Sequence, residues 1–195
     1  MTVLQKIPKM LILASESPRR RELLRQICEK FEVCSADVRE ISSGTDPFFV
    51  PQHNAGLKAS CVADKYPDAL VIGADTVIIF EGQVIGKPRD LADAKRMLTA
   101  FSGKSHYVVT GVALKRTGKQ PVDISYIEKS IVTFKETDAS VIEEYLQKVN
   151  VLDKAGAYAL QEHGDMIIST CTGEAENVVG LPLVRLQKLL RQYGF

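Results

Sequence analysis

The stretch from Met10 to Leu24 constrains this chain more than any other. Met10 to Ala14 is a short apolar run that reads as a buried strand. Ser17 then stands where a helix N-cap belongs, and Pro18 where a first helical residue belongs. From this start the pattern goes on alternating strand and helix, which argues an α/β fold. Arg19, Arg20 and Arg21 crowd the first helical turn, at an end that already carries about half a positive charge. Cations there are destabilising unless an anion sits among them. Free backbone N–H groups, the Ser15 and Ser17 hydroxyls and the guanidinium forks together make a seat for phosphate. A solvated basic turn is the plain alternative.

Further along, Leu23, Leu24, Ile27 and Cys28 form the apolar stripe of the first helix, and Phe31 to Cys34 is a short strand candidate. Ala36 to Pro47 is a polar, turn-rich loop. Residues 50–65 read as helix, with Leu57, Val62 and several alanines toward the core. Asn54 and Lys58 stand four apart and share another face. Ala69 to Phe80 is an apolar run interrupted only by Gly73, Asp75 and Thr76; it predicts two strands around Gly-Ala-Asp-Thr, with Glu81-Gly82 turning the second back. Asp90 caps a helix striped by Ala94, Met97, Leu98 and Phe101. Two long strands, Ser105 to Leu114 and Asp123 to Phe134, are joined by a loop holding Thr117-Gly118-Lys119. Asp138 opens another helix, Met166 to Cys171 is a further strand, and Leu183, Leu186, Leu190 and Tyr193 stripe a final helix.

A chain of 195 residues suits one domain, or one with a second lobe. Its net charge of +1 excludes a polyanion-coating protein. Residues 1–30 are nevertheless basic, with seven Lys or Arg (Lys6 and Lys9 among them) against three Glu. That suits a small phosphorylated ligand better than a DNA duplex, which wants a broader basic face. Cys28, Cys34, Cys61 and Cys171 show no paired short spacing, so zinc is not expected and the thiols read as reduced. The Met10–Ala14 run is too short for a secretory h-region, and no segment has the length to span a bilayer. The cytoplasm is the default expectation.

Asp75 is the sharpest candidate for chemistry. A carboxylate within an apolar strand pair has to be hydrogen-bonded, paired or metal-bound; an aspartate closing a turn is the alternative. Thr76 beside it either bonds a substrate or simply favours the strand. Lys87, between Gly86 and Pro88, lies on a rigid loop from which it reaches a phosphate or only solvent. For Lys58, spacing alone favours a solvated face. Glu40 either joins Asp75 in holding Mg²⁺ or is a solvated loop residue. Gln161, ending the segment from Asp153, carries both a donor and an acceptor for a base edge. His53, His106 and His163 are scattered, and no glycine-loop, nucleophile-elbow or Walker motif is present.

Taken together, these segments resemble the Maf-like nucleoside triphosphate pyrophosphatases. The resemblance is carried by Leu13-Ala14-Ser15-Glu16-Ser17-Pro18-Arg19-Arg20, Gly73-Ala74-Asp75-Thr76, Gly86-Lys87-Pro88-Arg89-Asp90, Phe101 to His106, Asp153 to Tyr158 and Val179 to Leu183. It implies a single domain over residues 1–195, built as a mixed twisted sheet with flanking helices and two lobes around a central cleft. It also implies a cytoplasmic, Mg²⁺- or Mn²⁺-dependent enzyme that hydrolyses dTTP or UTP to the monophosphate and pyrophosphate, sanitising the nucleotide pool. Asp75 is then the catalytic carboxylate and a metal ligand with Glu40. Arg19, Thr76 and Gln161 tune base choice, while Ser15, Ser17, Arg20, Lys58 and Lys87 line the phosphate end. Two departures stand out: Glu162-His163 follow Gln161 where glycine is usual, and His53 to Lys58 lacks the usual arginine and leucine. The alternatives are an inosine triphosphate-type or 7-methyl-GTP pyrophosphatase, or a nucleic-acid-binding or division-regulating protein without enzymatic activity. No membrane and no stable nucleic-acid complex are expected as partners. Apolar residues in the long strands make a homodimer plausible.

Overall fold

A computed structural model describes residues 10–42 and 46–195. Lys6 and Lys9 of the basic segment, and residues 43–45 of the loop after the second strand, lie outside the described residues. The central element is one strand, β3 (Leu70–Phe80), entirely apolar but for Asp75 and Thr76. It is continuous, where the sequence suggested two strands around Gly-Ala-Asp-Thr. Antiparallel β5 (Ser105–Arg116) supplies partners along it from Val71 to Ile79, so neither Gly73 nor Asp75 interrupts the ladder.

On its other edge β3 has two different partners. Parallel β1 (Leu11–Ala14) pairs with it from Leu70 to Gly73, and β4 (Gln83–Ile85) returns through the Glu81-Gly82 turn to pair from Ile78 to Phe80. Residues 74–77 lie between them, uncovered by either strand. The sheet continues as β2 (Glu32–Val33) beside β1, and as β6 (Val122–Phe134) and β7 (Ile168–Thr172) beyond β5, in the order β2-β1-β3-β5-β6-β7.

Side chains alternate across β3 with period two. Its odd-numbered face meets α2 (Phe49–Ala63), which buries Val50, Ala55, Ala59, Val62 and Ala63 against Val71, Val77 and Ile79. Leu57, expected in that core, is only half-buried. The helix sits unusually close because Gly73 and Gly111 face it: a Cβ on Gly73 would lie 2.2 Å from the Ala55 carbonyl oxygen, and one on Gly111 the same distance from that of Pro51. The even-numbered face carries two clusters. Leu70, Ile72 and Ala74 pack under α1 (Pro18–Arg25) and α6 (Leu183–Gln192), while Ile78 and Phe80 pack under α3 (Leu91–Phe101) and α4 (Ala139–Lys148). Short α5 (Ala175–Val179) touches both β5 and β6 on their way between these clusters.

The helix starts follow their capping residues. Ser17 accepts from the Arg20 N–H with Pro18 in the first turn, Asp90 accepts from Asp93, and Asp138 from Ser140 and Val141. α1 ends at Arg25, so Ile27 and Cys28 pack on its cluster from beyond the helix rather than as part of its stripe. All four cysteines are free. No helix among the described residues is long and apolar enough to cross a membrane.

Candidate active site

The uncovered edge of β3 is the floor of a cleft of about 540 Å³. Asp75 and Thr76 are successive strand residues and point to opposite faces, yet both line it because no strand covers the edge between them. One wall is Ser17, Arg19 and Arg20 at the start of α1, Glu40 in its loop, and Asn54 and Lys58 on α2. The other is Lys87 after β4 and the segment from Asp153 to Glu162, including Gln161. Asp75, Glu40, Arg19 and Arg20 thus share one cavity, while Arg21, the third arginine of the turn, does not line it.

Asp75 lies on the α2 side, 8% exposed. Its Oδ1 accepts from Lys58 Nζ at 2.8 Å and its Oδ2 from Asn54 Nδ2 at 3.0 Å. Lys58 Nζ also reaches Glu40 Oε2 at 3.1 Å, so a single ammonium joins the two acids. Lys58 is therefore not the solvated helix residue that its spacing favoured: its side chain is only 12% exposed. Ala55 and Ala59, with the bare Cα of Gly73, let α2 approach near enough for these bonds. A carboxylate offers about four lone-pair sites, so two donors leave Asp75 capacity for a water or a cation.

Thr76 lies on the opposite face, within a polar network under α5. Arg20 donates to Gly180 O at 2.8 Å, to Thr76 Oγ1 at 3.0 Å and to Ser15 Oγ at 3.4 Å. Thr76 meets Thr110 at 2.9 Å, and Thr110 donates to the Asn177 carbonyl at 3.0 Å. Enclosure presses the Arg20 guanidinium below its usual pKa, while the negative charges of Asp75 and Glu40 pull the other way. Ser15 accepts from the Ser17 N–H as well, so both serines serve the turn that aims Arg20.

Arg19 crosses the cleft mouth to Asp153 at 2.9 Å. Next to it, the buried Lys154 is enclosed by Asn150 O, Asp153 and Glu162. Gly156 N–H donates to Gly86 O at 2.9 Å, which ties this segment to the loop bearing Lys87. Lys87 and Gln161 are exposed and face the cleft. Sequence reading missed the functional position of Asn54 and the contributions of Thr110, Asn177 and Lys154. For Asn54 the one available signal was its four-residue spacing from Lys58.

The Asp75 and Glu40 carboxylates are of the ligand type Mg²⁺ takes, one or two of them with phosphate oxygens and water, although the Lys58 ammonium stands between the two. No group of three or more His, Cys, Asp or Glu converges among the described residues, so the remaining ligands of such an ion would come from substrate and water.

The model of one protein family, described as Maf-like protein, matches residues 10–193. A dTTP/UTP pyrophosphatase from Akkermansia muciniphila is 42% identical over 189 residues, covering 94% of this chain and 96% of that protein. Another dTTP/UTP pyrophosphatase, from Dictyoglomus thermophilum, is 40% identical over 189 residues, covering 96% of this chain and 97% of that one. Among solved structures, the Ham1 protein of Staphylococcus aureus superposes with a TM-score of 0.54 at 14% identity, over 95% of this chain and 100% of that one. At that identity the likeness concerns the fold alone: a mixed sheet flanked by helices.

Proposed function

The chain belongs to the Maf-like proteins, and from that premise we propose that it hydrolyses dTTP and UTP to the nucleoside monophosphate and pyrophosphate. The observation that carries this reading is the placement of Asp75 and Arg20 in one cleft, with Lys58 and Lys87 lining the same walls. Relatives bearing the activity in their names match over almost the whole chain, so the reading covers the entire domain.

The reaction is in-line attack of water on the α-phosphorus. The new P–O bond forms as the bond to the β-phosphate bridging oxygen breaks, and pyrophosphate leaves with that electron pair. Asp75 holds the attacking water and takes its proton. Arg20, Lys58 and Lys87 stabilise charge gathering on the departing pyrophosphate. Asp75 and Glu40 would hold a divalent cation, Mg²⁺ or Mn²⁺, which when bound neutralises charge on the triphosphate. Arg19, Thr76 and Gln161 set the base preference, Gln161 through an amide able both to donate and to accept. A cytoplasmic location and a homodimer belong to the same reading. The exposed, register-paired Tyr107 and Ile131 on β5 and β6 are the apolar surface on which a second copy would sit.

A panel of common and modified triphosphates with Mg²⁺ and Mn²⁺, scored by pyrophosphate release, tests the proposal. The expected result is preferential turnover of dTTP and UTP, lowered by about 10²-fold or more in Asp75→Asn, which keeps the shape but not the base. Undiminished turnover in that variant refutes the assignment. Preference for inosine or 7-methylguanosine triphosphate moves the protein to another branch.

A further inference from the structure

Asn54 is 2% exposed, and its amide is used on three sides. Its Oδ1 accepts from the Ile41 N–H at 2.9 Å, and its Nδ2 donates to the Ile41 carbonyl at 2.9 Å and to Asp75 Oδ2 at 3.0 Å. Binding both backbone groups of one residue reproduces, with a side chain, what a neighbouring strand does. The described residues from Ser35 to Ser42 have no helix or strand of their own. Ile41 is anchored there by this clamp and by packing of its side chain on Val50, Val77, Ile79 and Val109. Glu40 immediately precedes Ile41, and its carboxylate meets Lys58 one helical turn beyond Asn54.

We propose that Asn54 is a positioning residue: one amide ties the loop bearing Glu40 to the Asp75 carboxylate and so sets the spacing of the two acids. The inference deepens the pyrophosphatase reading and rests on it. Only an asparagine-length amide supplies this set, because two N–H groups and one carbonyl are needed within reach of a single buried point. Leucine would fill the volume but leave Ile41 N–H, Ile41 C=O and Asp75 Oδ2 each short of a partner. Aspartate would keep the Ile41 N–H bond, lose both donors and set a second negative charge against Asp75. Arg20 and Lys87, which the Asn54 amide does not touch, stay in place, so the loss should fall on turnover rather than on substrate capture.

The test combines amide exchange with kinetics. In the unaltered protein the Ile41 N–H should exchange at least about tenfold more slowly than those of Glu40 and Ser42 after correction for intrinsic rates. Equal rates overturn the clamp without any variant being needed. Asn54→Leu, and the isosteric Asn54→Asp should the leucine variant not fold, should lower kcat for dTTP about 10- to 100-fold, with KM within about threefold. An unchanged kcat in a folded variant, or a loss carried by KM, overturns the proposal. Combined with Glu40→Gln, the Asn54 variant should lose less than the product of the separate losses, since both act on one spacing. Independent, multiplying losses also overturn it. An unaltered protein that cleaves no triphosphate defeats the pyrophosphatase reading instead, because the exchange measurement reads the clamp without turnover.

Discussion

His106 should make this fold sensitive to mild acid. The ring is 3% exposed and packed among Phe101, Phe134 and Tyr158, with its centroid 4.6 Å from that of Phe101. Nε2 shares a 2.7 Å hydrogen bond with the Tyr158 hydroxyl, whereas Nδ1 has no partner. An imidazolium would therefore carry a buried, unbonded N–H, and burial lowers the histidine pKa to about 4. The ordinary value is 6.5. Between these two values the unfolded chain takes up a proton that the folded chain refuses. The contribution is thus fully present above about pH 6.5 and is lost as pH falls toward 4. A depression of about 2.5 pH units corresponds to about 3 kcal/mol. Urea unfolding of the parent and of His106→Gln, from pH 7.5 to pH 4, isolates this from the carboxylates common to both. The parent should lose about 3 kcal/mol more than the variant across that range. Parallel pH curves would show that the buried imidazole does not titrate as reasoned.

Two further outcomes are expected. Gly73→Ala and Gly111→Ala drive a methyl into the α2 backbone and should cost about 1–3 kcal/mol in urea unfolding, together with much of the pyrophosphate release. Gly56→Ala, on the same helix but with nothing within 4 Å of the added carbon, should instead stabilise by about 0.5–1 kcal/mol at unchanged activity. Equal stability of all three variants would show that α2 does not dock through those glycines. Arg19→Ala breaks a solvent-exposed pair and should move stability by less than about 1 kcal/mol. It should shift the ratio of pyrimidine to purine triphosphate turnover by at least about threefold, an order-of-magnitude expectation for one altered base-side contact. An unaltered ratio removes Arg19 from base choice.

Much of the architecture was legible because it rests on interactions between near neighbours in the chain. Ser17, Asp90 and Asp138 cap helices through bonds to N–H groups two or three residues on, and Glu81-Gly82 turns a hairpin between adjoining strands. The strand and helix periodicities were legible for the same reason. Asp75 and the arginine turn stood out because each breaks a local rule, as a charge within an apolar strand and as cations at a helix start. The continuity of β3 was not legible, since it depends on β5 lying alongside, about forty residues further on. Nor was the burial of Lys58.

By itself the sequence determined most of the strand and helix segments, where the capped helices begin, and which side chains are chemically able to act. The tertiary structure alone decided which of them meet. Arg20 bonds a carbonyl 160 positions away, and Asn54 bonds a carboxylate 21 positions away. Two glycines on different strands bring α2 close enough for Asn54 and Lys58 to reach Asp75. Such contacts depend on distances of a few ångströms between elements remote in the chain. Those distances are set by packing volume and strand pairing, which local composition does not encode.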